Sequence, residues 1–164
     1  MQLRIFVFRS VVTALGALCC GPALAADSAG AAAPLARNIG QQKLGPFPGM
    51  PACAPGAVLS GDPGSGRSLI TARLSAGCKV PWHWHTPDEQ VMLASGTAKV
   101  EMKDAAAVML HSGGYAMMPS RHVHQFTCTT ACVIFVSASG AFDIHYVDAL
   151  GKELTPEMAF KKKK

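Results

Sequence analysis

From Ala57 to Asp148 the chain is a succession of short β-type runs separated by turn residues. "AVLSG" gives way to the turn cluster "DPGSG", and "SLITARL" to "SAG". "VPWHWH" and "EQVMLA" follow, then the turn "SG" and "TAKVEM". After "KD" come "AAVML", the turn "HSGG" and "YAMMP", and "HVHQFT", "CVIFVSA" and "FDIHYVD" complete the set. About ten short strands at hairpin spacing, with no long amphipathic helix between them, predict an all-β sandwich or barrel. "DALGKELTPEMAF" leaves room for a short terminal helix with no obvious cap. No repeat, P-loop, nucleophile elbow or dinucleotide fingerprint is present.

The residues before this pattern have a different character. Arg4 and Arg9 make a basic start, an apolar run "VVTALGALCC" follows, and "ALA" at Ala23 to Ala25 offers small residues for cleavage before Ala26. Residues 1–25 therefore read as a secretory signal peptide, too short for a membrane span, and the mature protein is expected to be periplasmic or secreted. Residues 26–47, rich in Ala, Gly and Pro, read as a flexible leader, 48–150 as the β domain, and 151–164 as a tail ending in lysines. The formal charge of +5 includes Arg4, Arg9 and Lys161 to Lys164; without those six positive charges the body carries −1. A near-neutral body argues against a nucleic-acid partner. No other segment is apolar enough to span a membrane.

Cys19 and Cys20 leave with the signal, so four cysteines remain, at Cys53, Cys78, Cys128 and Cys132. An even number in an oxidising compartment predicts disulfides, and the absence of a CxxC pair argues against a zinc ribbon. "CTTAC" joins two β-runs and is expected to set Cys128 opposite Cys132 in a hairpin, within bonding reach. Cys53 and Cys78 are the remaining pair.

The chemistry concentrates in "GCKVPWHWHTPDEQVMLASG". Side chains alternate along a strand, so His83 and His85 share one face while Trp82 and Trp84 share the other. Pro87 bends the chain, and Glu89 returns a carboxylate to the same place from the start of the next run. Two imidazoles and an acid at this spacing can converge on one cation. Gly96 is expected to close the following hairpin.

These residues resemble a known family. Gly77, His83, His85, Glu89 and Gly96, at intervals of five, one, three and six intervening residues, are similar to the first motif of the cupin superfamily. Gly113, Pro119 and His124 resemble its second motif, in which Arg121 stands where the family has a turn glycine and Cys128 where it often has asparagine. The sequence also resembles small exported bacterial single-domain cupins. The resemblance implies a double-stranded β-helix (jelly-roll) barrel whose mouth holds one divalent metal on His83, His85, Glu89 and His124. Three histidines and a carboxylate suit Zn, Mn, Fe, Ni or Cu better than Mg or Ca. In a six-coordinate metal they leave two positions for substrate or dioxygen.

Two function classes follow: a metal-dependent dioxygenase, isomerase or lyase acting on a small organic molecule, or a non-catalytic binding or sensing protein using the same pocket. His122, two residues before His124, is expected to face the same way, as an acid, a base or a competing ligand, or else to be structural. Asp88 is a loop carboxylate or a partner to a ligating histidine. Phe126, Tyr115, Met117 and Met118 are expected to line an apolar interior, His111 and His145 to lie at the surface, and Arg121 to be a solvated turn charge or an anion contact. Trp82 and Trp84 are a large apolar area to leave in water, so either the "FPGMPACAPG" arm or a second subunit of a homodimer is expected to cover them.

Overall fold

The computed structural model describes residues 34–161, and residues 36–161 belong to one compact unit. The signal peptide expected at 1–25 lies outside the described residues. So do residues 162–164 of the lysine end.

Among the described residues eleven strands form two antiparallel sheets. The strands are β1 (Gly56–Gly61), β2 (Ser68–Leu74), β3 (Lys79–Trp84), β4 (Glu89–Ser95), β5 (Thr97–Met102) and β6 (Val108–His111). They continue as β7 (Tyr115–Met118), β8 (His124–Cys128), β9 (Cys132–Ala138), β10 (His145–Val147) and β11 (Glu153–Leu154). One sheet has the order β1-β2-β9-β4-β7, the other β11-β10-β3-β8-β5-β6. Alternation is cleanest in β9, where Cys132, Ile134, Val136 and Ala138 are buried between partly exposed neighbours. Cys132, Ile134 and Val136 meet Leu74, Leu93, Val100 and Phe126 in the core. Thr71 is polar and wholly buried, and its hydroxyl donates to the Ile134 carbonyl at 3.0 Å. That bond removes the penalty of an unpaired hydroxyl in the core.

The connections differ from the hairpins expected at this spacing. From β2 to β5 and from β6 to β10 each successive strand crosses to the other sheet; β1–β2, β5–β6 and β10–β11 are the true hairpins. Gly96 therefore sits at a crossover between β4 and β5. It has φ +92°, and a Cβ there would stand 2.2 Å from the Ala131 carbonyl oxygen, so glycine is required on two counts. Likewise Cys128 and Cys132 are bonded, with Cα atoms 6.0 Å apart, but they join the end of β8 in one sheet to the start of β9 in the other. Cys53 and Cys78 are also bonded, with Cα atoms 5.6 Å apart.

Ordered chain extends on both sides of 48–150. Gly45 and Gly56 exchange backbone bonds of 3.0 and 2.9 Å, which fastens the arm to the first strand. After β11, Thr155 caps a single helical turn, α1 (Pro156–Ala159), by accepting from the Met158 N–H, with Pro156 at the first position. "TPE" is a readable N-terminal signal, so the absence of a cap inferred from sequence is corrected. Phe160 then packs edge-on against Tyr146 at 5.1 Å. Tyr115 and Met117 are also corrected. They alternate outward on the edge strand β7 and are about half exposed, while Met118 and Phe126 point inward.

Candidate metal centre

His83 lies near the end of β3, His85 just beyond it, and Glu89 and His124 open β4 and β8. His83 and His124 are direct cross-strand partners. The register shifts between Val80 and His83, so β3 bulges at Pro81 and Trp82 and both Val80 and His83 are buried. Pro81 has no N–H to give a ladder, which makes it an acceptable bulge residue. The face-sharing of His83 and His85 survives because both lie beyond the bulge. All four side chains are buried, and one ligand atom from each lies within 4.8 Å of all the others.

The three histidines are oriented by main-chain oxygens. His83 Nδ1 donates to the Pro81 carbonyl at 2.6 Å, His124 Nδ1 to that of His122 at 2.9 Å, and His85 Nδ1 to that of Asp143. A carbonyl oxygen only accepts, so each Nδ1 carries a hydrogen, and Nε2 is the ring nitrogen left free to offer a lone pair to a cation. Glu89 stands among those lone pairs, with Oε1 3.4 Å from His85 Nε2 and Oε2 3.1 Å from His124 Nε2. The longer approach, to His85, is not a hydrogen bond, and His85 Nε2 is left without a partner.

Burial, reinforced by His124 and His85, holds His83 well below the usual imidazole range, and burial lowers His85 as well. Burial pushes the Glu89 carboxyl up, but His85 and His124 more than offset it, so the net shift is downward. The result is neutral His83 and His85 imidazoles beside an ionised carboxylate. A buried charge facing lone pairs is unfavourable unless a positive charge joins it. A single proton could satisfy one contact; four converging donor atoms fit a metal cation.

The remaining wall is apolar. The cavity, about 50 Å³, is lined by Ile70, Val91, Met118, Phe126, Val136 and others of their kind besides the four polar side chains. Phe47, Met50 and Ala54 reach it from the arm and Phe142 from the loop before β10. Sequence reasoning missed these four, because the arm has no period and one phenylalanine in a loop carries no face. It also missed Tyr146, which packs on His83 at 5.8 Å and whose hydroxyl donates to the Gly49 carbonyl at 2.8 Å.

Several neighbouring expectations change. His122 belongs to a turn ahead of β8, where strand alternation does not apply. Its side chain does not line the cavity, and it serves His124 through its carbonyl. Asp88 makes no hydrogen bond to His83, His85 or His124; its carboxylate accepts from the Ser120 N–H at 2.7 Å. Asp143 supplies the main-chain partner instead. Arg121 takes φ +61°, the conformation a turn glycine would have, and its N–H donates to the His85 carbonyl at 2.8 Å. Its guanidinium lies 4.9 Å over Trp84, whose ring stacks in parallel on His145 at 3.9 Å. Trp84 is thus partly covered by Arg121 and His145. His111 is exposed and His145 half-buried.

Solved structures with the same architecture include an RmlC-like cupin from Shewanella frigidimarina, at TM-score 0.55 and 16% identity over 64% of this chain and 89% of that one. It has the cupin fold. The cupin barrel is also similar to KdgF from Halomonas sp., at TM-score 0.52 and 13% identity over 62% of this chain and 92% of that one. A structure described among the DMSP lyases RdDddP and RnDddQII matches at TM-score 0.51 and 24% identity over 58% of this chain. That match spans 53%, about half, of the lyase chain. No family model and no curated protein sequence matches this chain.

Proposed function

We propose that this cupin binds one divalent transition metal through His83, His85, Glu89 and His124, and acts there on a small organic molecule as a dioxygenase, isomerase or lyase. The observation that carries the reading is the set of three imidazoles, each with Nδ1–H tied to a carbonyl, that bring one ligand atom apiece within 4.8 Å of one another and of the buried Glu89 carboxylate. Imidazole with carboxylate suits Zn, Mn, Fe, Ni or Cu. Bound, such a metal supplies Lewis-acid polarisation of a substrate oxygen, or a redox centre if it is Fe, Mn or Cu. The chain's own part is to orient four donors, to keep His83 and His85 unprotonated and to exclude water with an apolar wall. Lyase chemistry has support in that the fold is shared with proteins described as DMSP lyases.

One observation favours the alternative of a non-catalytic binder or sensor. Among the described residues, no titratable side chain lines the cavity besides the four proposed ligands. A general acid or base would therefore have to come from that set itself. If the protein is a binder, the metal-loaded form should hold a small ligand unchanged through long incubation in air; turnover would decide for an enzyme.

Elemental analysis of protein purified from the periplasm should find about one transition metal per chain; metal-free protein from metal-replete cells would sink both readings. Affinity should fall on acidification as protons compete for the Nε2 atoms. Because burial lowers His83 and His85, the neutral ligating form persists to lower pH than in an ordinary histidine. The midpoint should therefore lie below the ordinary imidazole value of about 6.5; competition titrations at stepped pH would show it.

Export is supported by the two disulfides, which suit an oxidising compartment. The mature chain should begin at or near Ala26. An intact mass showing residues 1–25 retained on exported protein would contradict that.

A further inference from the structure

Phe47 and Phe142 are the side chains, beside the bare backbone of Gly56, that line two spaces at once: the cavity that holds the four polar side chains, and a wider groove of about 740 Å³ outside it. Their rings meet edge to face, 6.0 Å apart at 79°, and Phe142 also lies against His85 at 4.8 Å. The aromatic pair is therefore the partition between solvent and the proposed metal ligands. Each ring is half-buried on an anchored segment. The arm is fixed on either side of Phe47, by the Gly45–Gly56 backbone pair and by the Tyr146 bond to Gly49. Phe142 is fixed by its N–H bond to the Pro63 carbonyl at 2.7 Å, and its neighbour Asp143 by accepting from the Thr86 N–H at 2.7 Å. With both backbones held, passage between the two spaces depends on the rings.

The inner space limits what can pass. About 10–15 Å³ of such volume admits one water, so about 50 Å³ admits on the order of three to five water-sized groups. Apart from the four proposed ligands its wall has no polar side chain, so a guest has partners for one polar end only. Any further polar group would be desolvated without compensation. Building on the metal-site reading above, we propose that the site takes compact organic molecules of about three to five heavy atoms, with one anionic or polar end and an apolar remainder, and that Phe47 and Phe142 set this limit.

Two measurements on the full chain test it. In the first, cobalt(II)-loaded protein is titrated with straight-chain monocarboxylates from formate to octanoate and followed by the visible cobalt band. Wild-type affinity should hold for the shortest acids and fall at least tenfold by hexanoate. Phe47→Ala and Phe142→Ala should carry tight binding to hexanoate or beyond, with Phe47→Leu between them. The same chain-length profile in all four proteins overturns the proposal.

The second measurement needs no metal. Chelator-treated protein is exposed to diethyl pyrocarbonate and the histidines are followed by peptide mass. His83, His85 and His124 should react slowly beside exposed His111 in the wild type. In Phe47→Ala they should react at least tenfold faster, with His111 unchanged. Failure to take up cobalt would remove the metal reading alone, and equal rates with and without Phe47 would still overturn the partition. Circular dichroism and the Phe47→Leu protein separate a local opening from loss of fold, because an unfolded variant would also expose every other buried group.

Discussion

Replacing any one of His83, His85 or His124 by alanine, or Glu89 by glutamine, is expected to lower metal affinity by at least 10- to 100-fold, the loss common even for outer partners of a metal ligand. Competition against a chromophoric chelator would measure it. Glu89→Gln carries a second expectation that separates a ligand from a structural carboxylate. In the metal-free protein Glu89 is an ionised group among lone pairs and apolar walls, so neutralising it should leave thermal stability unchanged or raised. The wild type should gain stability with added metal in proportion to its affinity, and the variant should lose that gain. His122→Ala should change neither quantity, since His122 acts on His124 through a carbonyl that alanine also has. Metal loss in His122→Ala, with full affinity retained in His124→Ala, would show the wrong histidine to have been assigned.

The contrast between His122 and His124 shows how far the chain could be read without coordinates. His83, His85 and Glu89 converge for reasons visible in the sequence: strand alternation gives the histidines one face, and Pro87 turns the chain so that Glu89 opens the next strand. The same parity rule fails for His122, because β8 begins only at His124 and Pro119 to His122 form a turn. The carbonyls that orient the imidazoles belong to Pro81, His122 and Asp143, and any residue type offers a carbonyl; residue identity could not reveal them. Apolar residues on short strands were placed correctly as strands but not always by face. Met118 and Phe126 face the cavity, while Tyr115 and Met117, equally apolar, face outward from an edge strand. The crossover connections were hidden for a different reason. A two-residue turn between two β-runs looks the same whether the second run pairs with the first or crosses to the facing sheet, and Gly96 shows how a close approach to Ala131, far along the chain, makes the difference. The arm was hardest to read, since no period of its own places Phe47 at the cavity; the Gly45–Gly56 pair and the Tyr146 bond to Gly49 hold it there, followed along the arm by the bond between Cys53 and Cys78.

That bond should also be the more stabilising of the two disulfides. Cys53 and Cys78 are separated by 25 positions, Cys128 and Cys132 by 4. In the loop-closure account, the longer constraint removes more freedom from the unfolded chain, about 3.5 kcal/mol against about 2 kcal/mol for the shorter. For a chain of this size each kcal/mol moves the melting temperature by about 2–4 °C. The paired change Cys53→Ala with Cys78→Ala should therefore lower Tm by roughly 10 °C, and Cys128→Ala with Cys132→Ala by roughly half as much. The first variant should also loosen the arm that brings Phe47, Met50 and Ala54 to the cavity, so hydrogen exchange at residues 46–54 should quicken while β9 stays protected. The two measurements answer different questions. A Tm loss from the Cys128–Cys132 pair that equals or exceeds the other would show that its value lies in joining the ends of two sheets, a native-state restraint that loop length does not count. Unchanged exchange in the arm after loss of Cys53 and Cys78 would show that the Gly45–Gly56 pair and the Tyr146 hydroxyl suffice to hold it over the site.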